Sequence, residues 1–168
     1  MRISSQIEKM INDQINMELY SANVYLTMAA WFLNQELNGF GNFFVIQMKE
    51  EQFHGMKYFH YLHDVDGKFH LANIPEPQQE YHNIKHVFQL ALHNEEEVTR
   101  STHSLIDAAL QTKDFATYQF LEWFVREQVE EEATMRNLLA KIELIGEDKS
   151  ALFMLDTELV GRTFTEAD

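Results

Sequence analysis

The chain has two prolines, Pro75 and Pro77, and both lie in one stretch, KFHLANIPEPQQEYHN. Proline removes a backbone donor and clashes with the turn before it, so the main break in regular structure is confined to that stretch. The long flanks are rich in good helix formers. Their patterning predicts four long helices over about 4–36, 40–66, 83–112 and 114–146. A shorter amphipathic segment follows over about 149–160, with Leu152, Leu155 and Leu159 on one side. Gly39 and Gly67 are expected in the breaks and Gly146 at a helix end. Asn83 and Asp114 are expected as N-caps, whose side chains accept from the first free backbone N–H groups.

Loop length then sets topology. The first and third connections are a few residues long, which makes each flanking helix pair an antiparallel hairpin. The connection between helices two and three runs to about 16 residues, long for a compact domain. A link of that reach can traverse the bundle and leave helices two and three parallel. The expected fold class is all-α: a four-helix bundle with one long crossover between helices two and three, plus a short fifth C-terminal helix. A single domain spans 1–168 in this reading.

Tracing the core stripe of each helix at three-and-four spacing gives Ile7, Ile11, Gln14, Glu18, Ser21, Tyr25, Met28 and Phe32 on the first. The second reads Phe40, Phe44, Gln47, Glu51, His54, Tyr58 and Tyr61. The third reads Ile84, Phe88, Ala91, Glu95, Val98, Thr102, Leu105 and Ala109. The fourth reads Leu121, Phe124, Gln128, Glu131, Met135, Leu138 and Ile142. Each stripe holds one glutamate near mid-helix, and none holds Lys or Arg. Mid-helix position survives reversal of direction, so Glu18, Glu51, Glu95 and Glu131 are expected in one layer. Four carboxylates without a buried base repel one another and lose hydration. Shared protons or bound water would relieve this in part, but two divalent cations would neutralise it. The mixed carboxylate and imidazole set suits iron or manganese.

Composition narrows the classes further. A formal net charge of -14 disfavours general nucleic-acid binding, which needs Lys and Arg against phosphate. No cysteine is present, which excludes disulfides, thiolate chemistry and Cys-based zinc sites. The opening MRISSQIEKMINDQ lacks the apolar core of a signal peptide, and no apolar run is long enough to span a membrane. The expectation is a cytoplasmic protein with neither nucleic-acid nor membrane partners.

Several segments carry a family resemblance: NMELYSANVYL, EEQFH, HNEEEVT, FLEWFVREQVEEE and the ending IGEDKSALFMLDTEL. With these, the chain resembles the non-haem ferritins of bacteria and archaea over nearly its whole length, within the ferritin-like di-iron bundles. The resemblance implies a ferroxidase centre in which Glu18 and His54 hold one iron, Glu95 and Glu131 the other, Glu51 bridges, and Gln128 lies close by. It implies that Tyr25 hydrogen-bonds a ligand and supplies an electron; from the residues alone Tyr25 is equally a core aromatic. Glu50, Glu127 and Glu130 read by themselves as a solvated acidic face, and the resemblance makes them a third iron site. Glu96, Glu97 and Glu132 read as exposed. Bacterioferritins place a haem-ligating Met where this chain has Gln52, which argues against haem. A second Glu-x-x-His is absent, since helix four reads Gln128-x-x-Glu131.

The implied function is iron storage and detoxification. Fe(II) is oxidised to Fe(III) by O2 or H2O2 at the two-iron centre and kept as a ferric oxide-hydroxide mineral inside a shell of twenty-four copies. A di-iron oxidase or peroxidase acting on another substrate would share the bundle, but the altered helix-four motif disfavours it. A DNA-protecting mini-ferritin would build its site between subunits and often carries a basic tail, whereas RTFTEAD is not basic. His60, His63 and His103 show no clear ligand spacing and are expected to be surface or structural residues.

Overall fold

The computed structural model describes residues 3–165, so the sequence reading of the last residues of RTFTEAD lies outside the described residues. Five helices follow in order: α1 Ser5–Leu33, α2 Asn38–Asp64, α3 Ile84–Gln111, α4 Phe115–Ile145 and α5 Lys149–Val160. Ser4, Asn83, Asp114 and Asp148 cap α1, α3, α4 and α5, each accepting from a backbone N–H two or three residues on. Gly146 ends α4 at φ 58°, in the left-handed region that suits glycine.

Several expected boundaries shift by one to three residues, and two of these shifts meet at the turn between α1 and α2. α1 stops at Leu33 rather than residue 36, and Glu36 takes a left-handed φ of 61° in a tight turn. α2 therefore begins at Asn38, which puts Gly39 inside its first turn rather than in the break. The reason is close approach. A Cβ at Gly39 would stand 1.6 Å from the carbonyl oxygen of Asp156 on α5. The Asp156 side chain in turn accepts from the Phe40 backbone N–H at 2.9 Å, which anchors α5 on the start of α2.

Hydrogen bonds to α1 trace the crossover. Asn12 donates to the Lys68 carbonyl and accepts from the His70 N–H; Asn16 donates to the His70 carbonyl and accepts from the Ala72 N–H. Thr27 then donates to the Gln78 carbonyl. The segment thus climbs beside α1 from its first half to its last turns and delivers α3 parallel to α2.

The traced stripes are buried except Tyr61 and Ile84, which are half-buried. The apolar core is divided in two. One cluster gathers Phe32, Phe40, Phe44, Phe88, Met135 and Leu155 at one end. The other gathers Ile7, Ile11, Tyr58, Leu62, Leu105 and Phe124 at the opposite end. Between them lies a polar layer. His60, His63 and His103 are exposed.

Candidate metal centre

The polar layer is built by the mid-helix residues of all four long helices. Glu18, Glu51, Glu95 and Glu131 are 1%, 1%, 0% and 7% exposed, and His54 is 3% exposed. Ligand atoms of Glu18, Glu51 and His54 lie within 4.8 Å of one another, the one such group of three among the described residues. Glu95 and Glu131 complete the layer but stand outside that tight group.

Amide and hydroxyl donors fix three of the four carboxylates. Gln14, one turn before Glu18, donates to it at 2.8 Å and is itself oriented by the Ser101 hydroxyl. Gln47 reaches across from α2 to Glu131 at 2.8 Å. Gln128 donates to a Glu95 carboxylate oxygen at 3.1 Å, and the Tyr25 hydroxyl donates to the other. Asn94 donates to the Tyr25 oxygen at 3.2 Å and pairs with Ser21. The expected hydrogen bond from Tyr25 to a candidate ligand is therefore present, on Glu95.

Glu51 is the exception. Both its oxygens are buried without a hydrogen-bond partner, as are Glu18 Oε2 and His54 Nδ1. Burying unpaired polar atoms of this kind is costly, and here they converge on one spot. His54 Nδ1 stands 3.8 Å from Glu51 Oε2, too far for a hydrogen bond. The edges of Trp123 and Phe124 hold the imidazole, at ring distances of 5.5 and 5.9 Å.

The electrostatics follow from that geometry. Burial first, then the charge of Glu131, pushes the Glu95 carboxyl up to about 8. Glu51 is raised well above the carboxylate range by burial and by the neighbouring charges of Glu95, Glu18 and Glu131. Burial, with Glu95 and Glu51 nearby, holds the Tyr25 phenol well above its usual range. A site that raises carboxyl pKa values by burial and mutual repulsion favours protons or metal cations over bare charge.

The outer acidic residues are arranged differently. Glu50 is about three-quarters buried and paired with Arg162, from the segment after α5, at 2.8 Å. Burial and the charge of Glu131 raise its carboxyl to about 7, against the opposing pull of Arg162. Glu127 is half-buried, and burial followed by the charges of Glu130 and Glu131 raises it, while His54 and Lys57 oppose. Glu130 is exposed, and the three do not draw together as tightly as Glu18, Glu51 and His54. Glu132, read as exposed, is partly covered and bonded to Thr99 and Arg136.

Sequence reasoning placed Gln14 and Gln47 on the stripes without giving them a role. Gln14 sits four residues before Glu18, the spacing at which a helix brings an amide onto a carboxylate. Gln47 has the same spacing from Glu51 yet serves Glu131 instead, which only the interhelix geometry reveals. Asn94 and Arg162 carried no sequence signal, because each acts across helices far apart in the chain.

Comparisons with known proteins agree with this architecture. The model of the ferritin-like domain matches residues 8–145. The bacterial non-heme ferritin of Staphylococcus aureus strain MRSA252 is 39% identical over 164 residues, covering 98% of this chain and 99% of the relative. That of Staphylococcus haemolyticus strain JCSC1435 is 38% identical over the same length and coverage. Among solved structures, a humanized archaeal ferritin superposes with a TM-score of 0.97 at 44% identity, covering 98% of this chain and 99% of that one. An open-pore ferritin from the hyperthermophilic archaeon Archaeoglobus fulgidus gives 0.95 at 43% identity, over 96% and 98% of the two chains.

Proposed function

The chain belongs to the ferritin-like family, and from that premise we propose that it oxidises Fe(II) at a two-iron centre and stores the product. Membership supports iron storage and ferroxidase activity in general; the finer reading concerns where and how. Fe(II) is the substrate. Glu18 and His54 take one ion, Glu95 and Glu131 the other, and Glu51 bridges them. The observation that carries this assignment is the set of unpartnered buried atoms: both oxygens of Glu51, Glu18 Oε2 and His54 Nδ1. Glu51 alone of the four carboxylates has both oxygens free of protein donors, as a bridge between two cations requires. Donors hold one oxygen each of Glu18 and Glu131 and leave the other for metal, while both oxygens of Glu95 are oriented by Gln128 and Tyr25 and keep lone pairs for an ion.

Charge decides the direction of the chemistry. Four carboxylates balance two Fe(II), so the reduced pair is neutral with its ligands. Each Fe(II) gives one electron, and O2 takes two electrons and two protons to H2O2; alternatively H2O2 takes two electrons and two protons to water. The oxidised pair then exceeds its ligands by two positive charges. Water supplies hydroxide to offset that excess, and the hydrolysed Fe(III) leaves toward the mineral. Glu127 and Glu130 on α4, with Glu50 on α2, form the outer relay at which a third iron rests on its way. Tyr25, bonded to Glu95, aligns that ligand and stands close enough to give an electron. The reading continues to a single domain, assembled as a cytoplasmic shell of twenty-four copies with ferric oxide-hydroxide inside and no haem. The cavity of about 310 Å³ lined by Tyr20, Tyr81 and Leu90 touches none of the five inner ligands, which gives no support to an organic substrate at the centre.

The test is aerobic Fe(II) oxidation at a few irons per chain, comparing the native protein with Glu51→Ala. A fast phase that disappears in the variant places the chemistry at the bridged pair. Equal, slow oxidation in both would leave only a passive iron shell.

A further inference from the structure

The outer acidic group holds a cation of the protein's own. Arg162 follows α5, and its Nη2 lies 2.8 Å from Glu50 Oε2, immediately beside the inner ligand Glu51 in sequence. Its guanidinium carbon stands 4.4 Å from the centre of the Phe43 ring, a cation–π contact. Three bonds pin the backbone there: the Asn42 amide donates to the carbonyls of Leu159, Val160 and Arg162 at 3.1, 3.3 and 3.0 Å. Phe164 packs edge-on against Phe53 at 6.0 Å, which extends the hold by one more residue pair.

The backbone is thus fixed while the hold of the side chain is incomplete. A guanidinium can grip a carboxylate through two parallel bonds. Here only Nη2 engages Glu50, and Nη1 is buried with no hydrogen-bond partner among the described residues. The pair is also partly exposed, at 24% and 22% for the two side chains, so water and ions weaken it. Arginine keeps its charge at any ordinary pH, so it can leave Glu50 only by rotating away.

We propose that Arg162 gates the outer position: its tethered positive charge stands in for a third metal ion at Glu50, and iron rests there only when the guanidinium swings off. The consequence is ordered loading. The inner pair fills first because no protein cation competes for it. The outer position fills weakly and briefly, which suits a relay rather than a store. This proposal rests on the reading of Glu50, Glu127 and Glu130 as a relay.

The test is equilibrium titration of the metal-free assembled protein with Zn(II), followed calorimetrically, so that no oxidation is involved. The native protein is expected to bind two ions tightly per chain and a third weakly. Arg162→Gln, which removes the charge and keeps a polar side chain, is expected to tighten the third ion about tenfold while leaving the first two unchanged, a difference of about 1.4 kcal/mol. Arg162→Lys is expected to stay near native, and Arg162→Gln combined with Glu50→Gln is expected to lose the gain. An unchanged third affinity in Arg162→Gln, or a gain that survives Glu50→Gln, would overturn the gate. Failure of the inner reading shows separately, as a native protein that does not bind the first two ions, or a Glu51→Ala variant that binds them as well as native does.

Discussion

Because the inner layer is costly when its carboxylates are charged, removing metal should turn the protein's stability against pH. Glu95 offers the clearest magnitude. It is fully buried, and its carboxyl rises from an ordinary 4.5 to about 8 in the fold. A folded pKa raised above the unfolded value means the native state binds the extra proton. Its contribution is fully present below the unfolded pKa and is lost as pH rises through the folded one. Across that window each pH unit costs about 1.4 kcal/mol, so between about pH 5.5 and 7.5 the metal-free chain loses about 3 kcal/mol from this group. Spread over a chain of this size, that is a fall of roughly 6–12 °C in melting temperature. Thermal unfolding of the chelator-treated protein measures it, with Glu95→Gln as the comparison because it removes the titrating group. The variant should show a visibly flatter slope. Metal should reverse the trend, since its ligands must be deprotonated to bind. A metal-free native protein whose stability rises over the same window, or matches Glu95→Gln throughout, would refute the account of the layer.

Two further substitutions test the fold and the support of the centre. Gly39→Ala places a methyl against the Asp156 backbone, so α5 should be displaced from α2. Losing the burial of Leu155 and Leu159 and the Asp156 bond to Phe40 would cost about 4–7 kcal/mol. Limited proteolysis should then cut near Gly146; a variant as resistant as native would show that the contact yields. Tyr25→Phe keeps the ring and removes the donor to Glu95, and a hydrogen bond to a charged group contributes about 1.5–3 kcal/mol. Anaerobic Fe(II) titration should show the second inner ion weakened at least about tenfold, while unchanged binding would reduce Tyr25 to a core aromatic.

The fold was legible because the signals were local and redundant. Proline confined to one stretch, polar caps at Asn83 and Asp114, and one long link together leave few alternatives to the observed bundle. The four glutamates were legible for the same reason: periodicity fixes their face, and mid-helix position fixes their layer. What escaped was chemistry that depends on how helices meet. Gly39 looks like a helix breaker until α5 is laid across it, and the aim of Gln47 at Glu131 depends on the separation of α2 and α4. Arg162 is more than a hundred residues from Glu50, and a lone arginine after a helix gives no hint of its partner.

The central claim is that Glu18, Glu51, His54, Glu95 and Glu131 hold two iron ions as substrate. Anomalous diffraction at the iron edge, from crystals of the metal-free protein soaked anaerobically in Fe(II), tests it most directly. The account predicts two peaks per chain about 3.5–4 Å apart, one against Glu18 and His54, the other against Glu95 and Glu131, with Glu51 between them. An inner layer without anomalous signal, in crystals whose surface carboxylates bind iron, would contradict it.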